Sequence, residues 1–319
     1  MRILVTGGAG FQGSHLSEAL LAMGHHVTVL NTLSIAAKRN TRIFAENERA
    51  DIVFGSITDP ELTSKTVRDH DVVFHLAANV NVDRSLHDPK SFLDTNVMGT
   101  YNVLEAARRH QSRVIYASTC EVYGDGHDLG PDALLDETAE MRPNSPYGAS
   151  KAAADRLCYS YYRSYDMDIT IVRPFNIFGE RQKSGTFGAL IPRLVRQALA
   201  GEDLTVFGEG IATRDYLHVS DIVRAYRLVL AVPSLKGRAI NFASGTNTSV
   251  RDIAEYIAQR FHTRVTQGQP RPGEVSRYPA DISLAKSIGF DPRVGIWEGI
   301  DRYIEWAIAQ PQQLADSGN

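Results

Sequence analysis

A spaced set of glycines near the start of the chain separates a strand-forming run of residues from a helix-forming one. The segment RILVT at 2–6 is followed by GGAG, and the helix-forming segment FQGSHLSEALLAMG at 11–24 comes next. In the spacing of Gly7, Gly10 and Gly13, the first glycine permits a tight turn, the second lets the backbone approach a pyrophosphate, and the third lets the helix pack on the strand. Unpaired N–H groups at the start of such a helix attract phosphate oxygens. The pattern therefore predicts a dinucleotide-binding unit.

Apolar strand patterns and amphipathic helix patterns alternate along the first half of the chain. The strands are apolar almost throughout, which indicates a sheet covered by helices on both faces. Alternation of this kind predicts the α/β class, with a Rossmann-type doubly wound parallel sheet and right-handed crossovers. The predicted strands are 2–6, 26–31, 50–55, 71–78, 113–118 and 168–176, and the predicted helices among them include 88–110 and 148–165.

The alternation becomes irregular after about residue 176. Polar, glycine-bearing loops separate shorter elements there, which we interpret as a smaller C-terminal α/β substrate lobe interleaved with returns to the sheet. The predicted boundaries are 1–175, with returns near 214–245, for the Rossmann domain, and 176–213 with 246–319 for the smaller lobe.

Composition excludes several classes of partner. A formal net charge of -3 over 319 residues gives no electrostatic footprint for a nucleic acid or an anionic membrane. No stretch approaches the roughly 18 consecutive apolar residues that cross a bilayer, and the N-terminal segment does not have the pattern of a signal peptide. The two cysteines, Cys120 and Cys158, are spaced neither as a disulfide framework nor as a metal site. We therefore expect a soluble cytoplasmic protein without a bound metal.

Tyr147 and Lys151 lie four residues apart at the start of a predicted helix, and hence on one face of it. A phenol has an unperturbed pKa of about 10 and is a poor base at neutral pH. A nearby ammonium group favours the phenolate, so Tyr147 can take a hydroxyl proton while a hydride leaves the same carbon for a cofactor. Thr119, just after the strand at 113–118, can hydrogen-bond the reacting oxygen.

A series of motifs runs through most of the chain. They are TGGAGFQG at 6–13, HLAA at 75–78, TNVMGT at 95–100, STCEVYG at 118–124, YGASK at 147–151, RPFNIFG at 173–179, TRDYLHVSD at 213–221 and RPGE at 271–274. With these motifs the chain resembles the extended short-chain dehydrogenases/reductases, in their NAD-dependent nucleotide-sugar epimerase/dehydratase group.

The resemblance implies a Rossmann lobe with a tightly bound, recycled NAD and a second lobe that binds a nucleoside diphosphate sugar. It favours a UDP-sugar as substrate and a homodimer as the assembly. By the family pattern, Asn176 and Arg214 would bind the substrate's diphosphate, and Arg271 would add a second cationic contact. The positions implied to bind the cofactor are Gly7, Gly10, Phe11, Gln12, Gly13, Asn31, Ser56, Ile57, Leu76, Ala77, Ala78, Asn96, Tyr147 and Lys151.

Three positions depart from the family pattern on the side of the cofactor. Asn31 stands where an acidic residue usually binds the ribose, and Ser56 replaces the aspartate that usually serves the adenine. Gln12 replaces an aliphatic residue, so its amide needs partners if it packs against the sheet. NAD is the predicted cofactor because no arginine follows Asn31 directly, and NADP is the alternative because Lys38 and Arg39 lie shortly downstream.

Cys120 and Glu121 place a thiol and a carboxylate side by side after a predicted strand. The family's 4,6-dehydratases are similar in having glutamate here after an aspartate or serine, whereas its epimerases usually have small residues. Oxidation of a sugar at C4 acidifies the C5 hydrogen, which Glu121 can remove while the protonated thiol of Cys120 donates to the departing O6. The Thr-Cys-Glu triplet is also similar to that of the UDP-N-acetylglucosamine 5,6-dehydratase of tunicamycin biosynthesis. The sequence thus predicts a dehydratase that acts through a 4-keto intermediate, with 4,6- and 5,6-dehydration both open.

Two other functions fit some of the same residues. A nucleotide-sugar 4-epimerase would use Tyr147 and Lys151, with Glu121 only structural. A non-enzymatic dinucleotide sensor needs no proton relay, so the joint presence of Thr119, Tyr147 and Lys151 argues against it.

Overall fold

The fold is built around strands whose side chains are apolar on both faces. The structure is a computed structural model that describes residues 1–125, 133–184, 188–269 and 276–312. Its strands are β1 (Arg2–Thr6), β2 (His26–Asn31), β3 (Ala50–Phe54), β4 (Val72–His75), β5 (Arg113–Ala117), β6 (Ile169–Pro174), β7 (Ile177–Phe178), β8 (Leu204–Phe207), β9 (Thr213–Asp215), β10 (Leu217–His218), β11 (Ala239–Phe242), β12 (Asn247–Ser249) and β13 (Val265–Gly268). Its helices are α1 (Phe11–Ala22), α2 (Ile35–Thr41), α3 (Pro60–Val67), α4 (Val82–His87), α5 (Pro89–Phe92), α6 (Gly99–His110), α7 (Pro146–Tyr165), α8 (Leu190–Leu199), α9 (Val219–Ala231), α10 (Val250–Phe261), α11 (Ser283–Ser287) and α12 (Ile296–Ala309).

Seven strands form one sheet in the order β11-β6-β5-β4-β1-β2-β3. All six pairings are parallel. The chain runs outward from β1 to β3, returns to β4 beside β1, and then continues in the opposite direction. The order reverses between β1 and β4, and in sheets of this type ligands bind outside the carboxyl ends of the strands at that reversal. The predicted Rossmann-type doubly wound parallel sheet is confirmed.

Alternate residues of β1 belong to two different hydrophobic cores. Ile3 and Val5 pack in the same core as Leu16 of α1, whereas Leu4 packs with Val103 of α6 and Ala154 of α7. Both faces of the central strand are therefore buried, as its uninterrupted apolar sequence indicates.

The predicted helix near 88–110 is present from Pro89 to His110, but it is not α-helical throughout. After the four residues of α5, Leu93–Met98 form a π-helical turn, and only then does α6 begin. Asn96 lies in that turn, fully buried. Short π-helical segments inside helices are rare, and six residues of apolar periodicity do not distinguish their wider turn from an α-helix.

The rest of the chain forms smaller units beside the sheet. Three two-stranded pairs join β7 to β10, β9 to β12 and β8 to β13, and a separate apolar core lies between α8, α10 and α12. The division into a cofactor domain and a substrate lobe stays a prediction. Among the described residues, no helix is long and apolar enough to cross a membrane, and no cluster of His, Cys, Asp or Glu side chains could hold a metal ion.

A buried ion pair between Asp155 of α7 and Arg173 of β6 lies behind the carboxyl ends of the strands. The guanidinium donates two hydrogen bonds to the carboxylate, at 2.9 and 3.0 Å, and both side chains are at most 1% exposed. Ser118 donates to the same carboxylate at 2.8 Å, and Arg173 donates to the hydroxyl of Tyr123 at 2.8 Å. Burial opposes ionisation of Asp155, but the hydrogen bonds and charge of Arg173 hold its pKa below the usual range.

Asp155→Asn should lower the free energy of unfolding by about 3–5 kcal/mol, because it leaves the buried Arg173 without its counter-charge. Urea unfolding at neutral pH measures the change. The control is Glu298→Gln, which removes one partner of an exposed pair with Arg302 and should cost far less. Equal losses in the two variants would show that the buried pair does not stabilise the fold.

Candidate active site

The glycine loop forms a close-fitting turn between β1 and α1. Gly7 has a left-handed backbone, with φ of +71°, and its N–H donates to the carbonyl of Leu30 at 2.8 Å. A Cβ on Gly7 would lie 2.8 Å from the backbone nitrogen of Ala77, and one on Gly13 only 2.1 Å from the carbonyl oxygen of Gly7. The residue that precedes α1, Gly10, has no side chain with which to cap the N–H groups of the first turn. The helix start therefore keeps its N–H groups for an anionic ligand, and the loop fits a dinucleotide pyrophosphate.

Two of the departures from the family pattern have partners inside the protein. The side-chain oxygen of Asn31 accepts a hydrogen bond from the backbone of Ala9 at 3.2 Å, which ties the end of β2 to the glycine loop. The side-chain oxygen of the half-buried Gln12 accepts from the hydroxyl of Tyr226 at 3.1 Å, so its amide has a partner inside the protein. Because Asn31 is uncharged, this chain has no negative charge at the position where the family usually binds the ribose with a carboxylate.

Most of the other predicted cofactor residues lie just beyond the carboxyl ends of β1, β3 and β4. The hydroxyl of Ser56 is 2.8 Å from that of Thr58, and Ile57 is buried. Asn96 is more enclosed than a ligand-binding role suggests, since its amide bonds both backbone groups of Asn79 and the hydroxyl of Ser150. The remaining members are Phe11, Leu76, Ala77 and Ala78, which lie in the first turn of α1 and directly after β4.

His75 is structural. Its two ring nitrogens lie 2.7 Å from the hydroxyl of Thr6 and 2.9 Å from that of Thr100. Burial, and secondarily the charge of Lys151, lower its pKa to about 3. The ring therefore stays neutral and links β4 to β1 and α6.

Tyr147 and Lys151 lie on the first turns of α7, whose start is capped by Ser145. The ammonium of Lys151 donates to the carbonyl of Ala117 at 2.6 Å, and burial lowers its pKa to about 8. Burial also raises the pKa of Tyr147, with a smaller contribution from the charge of Glu121, while a hydrogen bond with Thr119 acts in the opposite direction. Tyr147 is thus a neutral phenol in this structure, close to the triplet that follows β5.

The triplet Thr119–Cys120–Glu121 forms the start of a short 3-10 turn at Cys120–Val122. The backbone N–H of Glu121 donates to the hydroxyl of Thr119 at 3.3 Å. Burial, and then the charge of Glu121, raise the pKa of the Cys120 thiol, so the thiol stays protonated at neutral pH. The pair therefore consists of a protonated thiol and a carboxyl group.

Glu121 has a partner that the sequence analysis missed. The hydroxyl of Tyr278 donates to its Oε2 at 2.9 Å. Burial raises the pKa of Glu121 above its usual value, and the Tyr278 hydrogen bond and the charge of Arg214 offset only part of that rise. Tyr278 lies four residues after the RPGE motif, but nothing in the local pattern connects it to a residue so distant in the chain.

Of the predicted diphosphate ligands, Asn176 lies between β6 and β7, and Arg214 lies within β9. Asn176, just after β6, donates to the backbone carbonyl of Asp215 at 3.2 Å. The guanidinium of Arg214 lies 5.4 Å from the centre of the Tyr278 ring and donates to the carbonyl of Thr213. Arg271 lies outside the described residues.

The family model described as NAD dependent epimerase/dehydratase family matches residues 3–243. The chain belongs to this family. A dTDP-glucose 4,6-dehydratase of Mycolicibacterium smegmatis is 42% identical over 313 residues, covering 96% of this chain and 93% of the relative. A putative UDP-glucose 4-epimerase of Methanocaldococcus jannaschii is 34% identical over 309 residues, covering 95% and 97%.

The crystal structure of a dTDP-glucose 4,6-dehydratase from Streptomyces venezuelae, with NAD bound, superposes with a TM-score of 0.93 at 32% identity and covers all of both chains. The epimerase/dehydratase family is NAD-dependent, and the glycine loop of this chain fits that cofactor. The relatives of this chain include both dehydratases and epimerases. Membership of the family therefore establishes the class of chemistry and not the reaction.

Asn31→Asp should raise the preference for NAD over NADP by roughly tenfold, since a carboxylate accepts from the ribose hydroxyls and repels a 2′-phosphate. Calorimetric titration of cofactor-stripped protein with each dinucleotide measures both dissociation constants. The control is Asn47→Asp, which adds the same charge just before β3, at the amino ends of the strands rather than the carboxyl ends. An unchanged NAD-to-NADP ratio in Asn31→Asp would contradict a role of this position in selecting the cofactor.

Proposed function

We propose that the chain is an NAD-dependent nucleotide-sugar dehydratase that forms a 4-keto intermediate and then eliminates water between C5 and C6. The observation that carries the proposal is the pairing of a protonated thiol, Cys120, with a half-buried carboxyl group, Glu121, next to Tyr147. An epimerase has no use for an acid and a base at C5 and C6.

The first step belongs to Tyr147, Lys151 and Thr119. Bound NAD would accept a hydride from C4 of the sugar and return it, to C6 in 4,6-dehydration or to C4 in 5,6-dehydration. Tyr147 takes the proton of the C4 hydroxyl, and Thr119 hydrogen-bonds that oxygen. Burial brings the pKa of Lys151 to about 8, so at neutral pH its ammonium form still predominates. An ammonium that approaches the phenol of Tyr147 during the reaction would favour the phenolate.

Elimination belongs to Glu121 and Cys120. Once C4 is a ketone, Glu121 removes the proton from C5, and the electrons of the C5–H bond form the C5–C6 double bond as the C6–O bond breaks. The thiol of Cys120 donates its proton to O6, which departs as water, and the thiolate is later reprotonated. A thiol adds no second negative charge beside Glu121, which must be ionised to act.

We further propose 5,6-dehydration as the finer reaction, on the similarity of the Thr-Cys-Glu triplet alone, with a UDP-sugar as substrate bound through Asn176, Arg214 and Arg271. The cytoplasmic location and the homodimer belong to the same proposal. Exposed apolar side chains on and just before α6 and on α7, among them Met98, support a second copy as partner.

Glu121→Gln should lower the rate of water loss by roughly a thousandfold, because it removes the base and keeps the shape of the side chain. Transient oxidation at C4 should persist, visible as absorbance of reduced cofactor in a stopped-flow experiment. Tyr147→Phe, the companion variant, should abolish that absorbance as well. Water loss by Glu121→Gln near the wild-type rate would show that Glu121 is not the base.

A further inference from the structure

Tyr278 is fully buried, and its hydroxyl is directed at the carboxylate of Glu121. The donor and acceptor oxygens are 2.9 Å apart, and the ring is 0% exposed. A buried phenol needs a partner for its hydroxyl, and the carboxylate is the only one the described residues give it. The contact joins residues 157 positions apart in the chain.

The backbone on either side of Tyr278 is anchored to the segment that follows the triplet. Ser276 donates from its backbone and its hydroxyl to the carboxylate of Asp125. Beyond Tyr278, Leu135 donates to the carbonyl of Pro279 at 2.7 Å and accepts from Asp281 at 3.0 Å. The backbone is therefore anchored on both sides of Tyr278, which fixes the position of the phenol independently of Glu121.

Four titratable or charged groups face Glu121 among the described residues. They are Cys120 in the same turn, Tyr147 of α7, Arg214 of β9 and Tyr278. Tyr278 is the one that donates a hydrogen bond to the carboxylate, and the Arg214 guanidinium lies over the Tyr278 ring.

We propose that Tyr278 is a positioning residue for the elimination step: its hydroxyl holds Oε2 of Glu121 and leaves Oε1 to take the C5 proton. This inference rests on the proposed function of Glu121. A carboxylate without that bond is able to rotate and to lose the orientation on which proton transfer depends. The same hydrogen bond lowers the pKa of Glu121 and so keeps the base ionised at lower pH.

Tyr278→Phe in the NAD-loaded enzyme should reduce the rate of water loss roughly tenfold, the effect expected when a hydrogen bond to a charged group is lost. The acid limb of the pH–rate profile should move to higher pH, because without the donor Glu121 becomes protonated sooner as pH falls. Transient C4 oxidation, which depends on Tyr147 and Lys151, should stay within about twofold of wild type.

The matched control is Tyr303→Phe, another fully buried tyrosine, which lies in α12 and should change neither step. A wild-type rate of water loss with an unmoved acid limb in Tyr278→Phe would overturn the proposal. An equal loss of C4 oxidation and of elimination would also overturn it, because that result would indicate a structural role. Failure of the proposed function is a separate result, in which the wild-type enzyme releases no water or Glu121→Gln releases it normally.

Discussion

The buried ion pair between Asp155 and Arg173 is the constraint on which the active site depends. It joins α7, which presents Tyr147 and Lys151, to β6, and it binds Ser118 before the Thr119–Cys120–Glu121 triplet and Tyr123 after it. Removing two charges from water is costly. The cost is offset by hydrogen bonds on both partners, and the resulting network fixes the triplet at both ends.

Low solvent exposure then sets the protonation states of the groups around the triplet. Burial keeps Cys120 as a thiol and Tyr147 as a phenol, lowers the pKa of Lys151 to about 8, and leaves Glu121 dependent on hydrogen bonding and on Arg214 for its ionised form. The thiol of Cys120 stays neutral, and the Tyr278 hydrogen bond and the charge of Arg214 oppose the rise that burial gives the pKa of Glu121. In the proposed elimination the thiol therefore adds no charge that would compete with the carboxylate for one proton. This separation is what an elimination needs from neighbouring groups.

Local patterns were sufficient for the fold class, and the roles of the site residues stay predictions. Glycine spacing and apolar strands predicted the βα unit and the doubly wound sheet, and the segments around Glu121 and Lys151 supplied the candidate reacting side chains. The contact of Tyr278 with Glu121 and that of Asn31 with Ala9 have no periodic signal, because they join distant segments through side chains. The π-helical turn at Leu93–Met98 was missed for another reason, since it spans too few residues to alter the apolar pattern.

The most direct test of the central claim is a product assay in deuterated water. The NAD-loaded protein would be incubated with UDP-N-acetylglucosamine, UDP-glucose, dTDP-glucose and GDP-mannose, and the products analysed by mass spectrometry and proton NMR. The account predicts a product lighter by one water, with vinyl protons for 5,6-dehydration or a C6 methyl group beside a deuterated C5 for 4,6-dehydration. A product of unchanged mass without deuterium would contradict it and identify an epimerase in which Cys120 and Glu121 serve only packing.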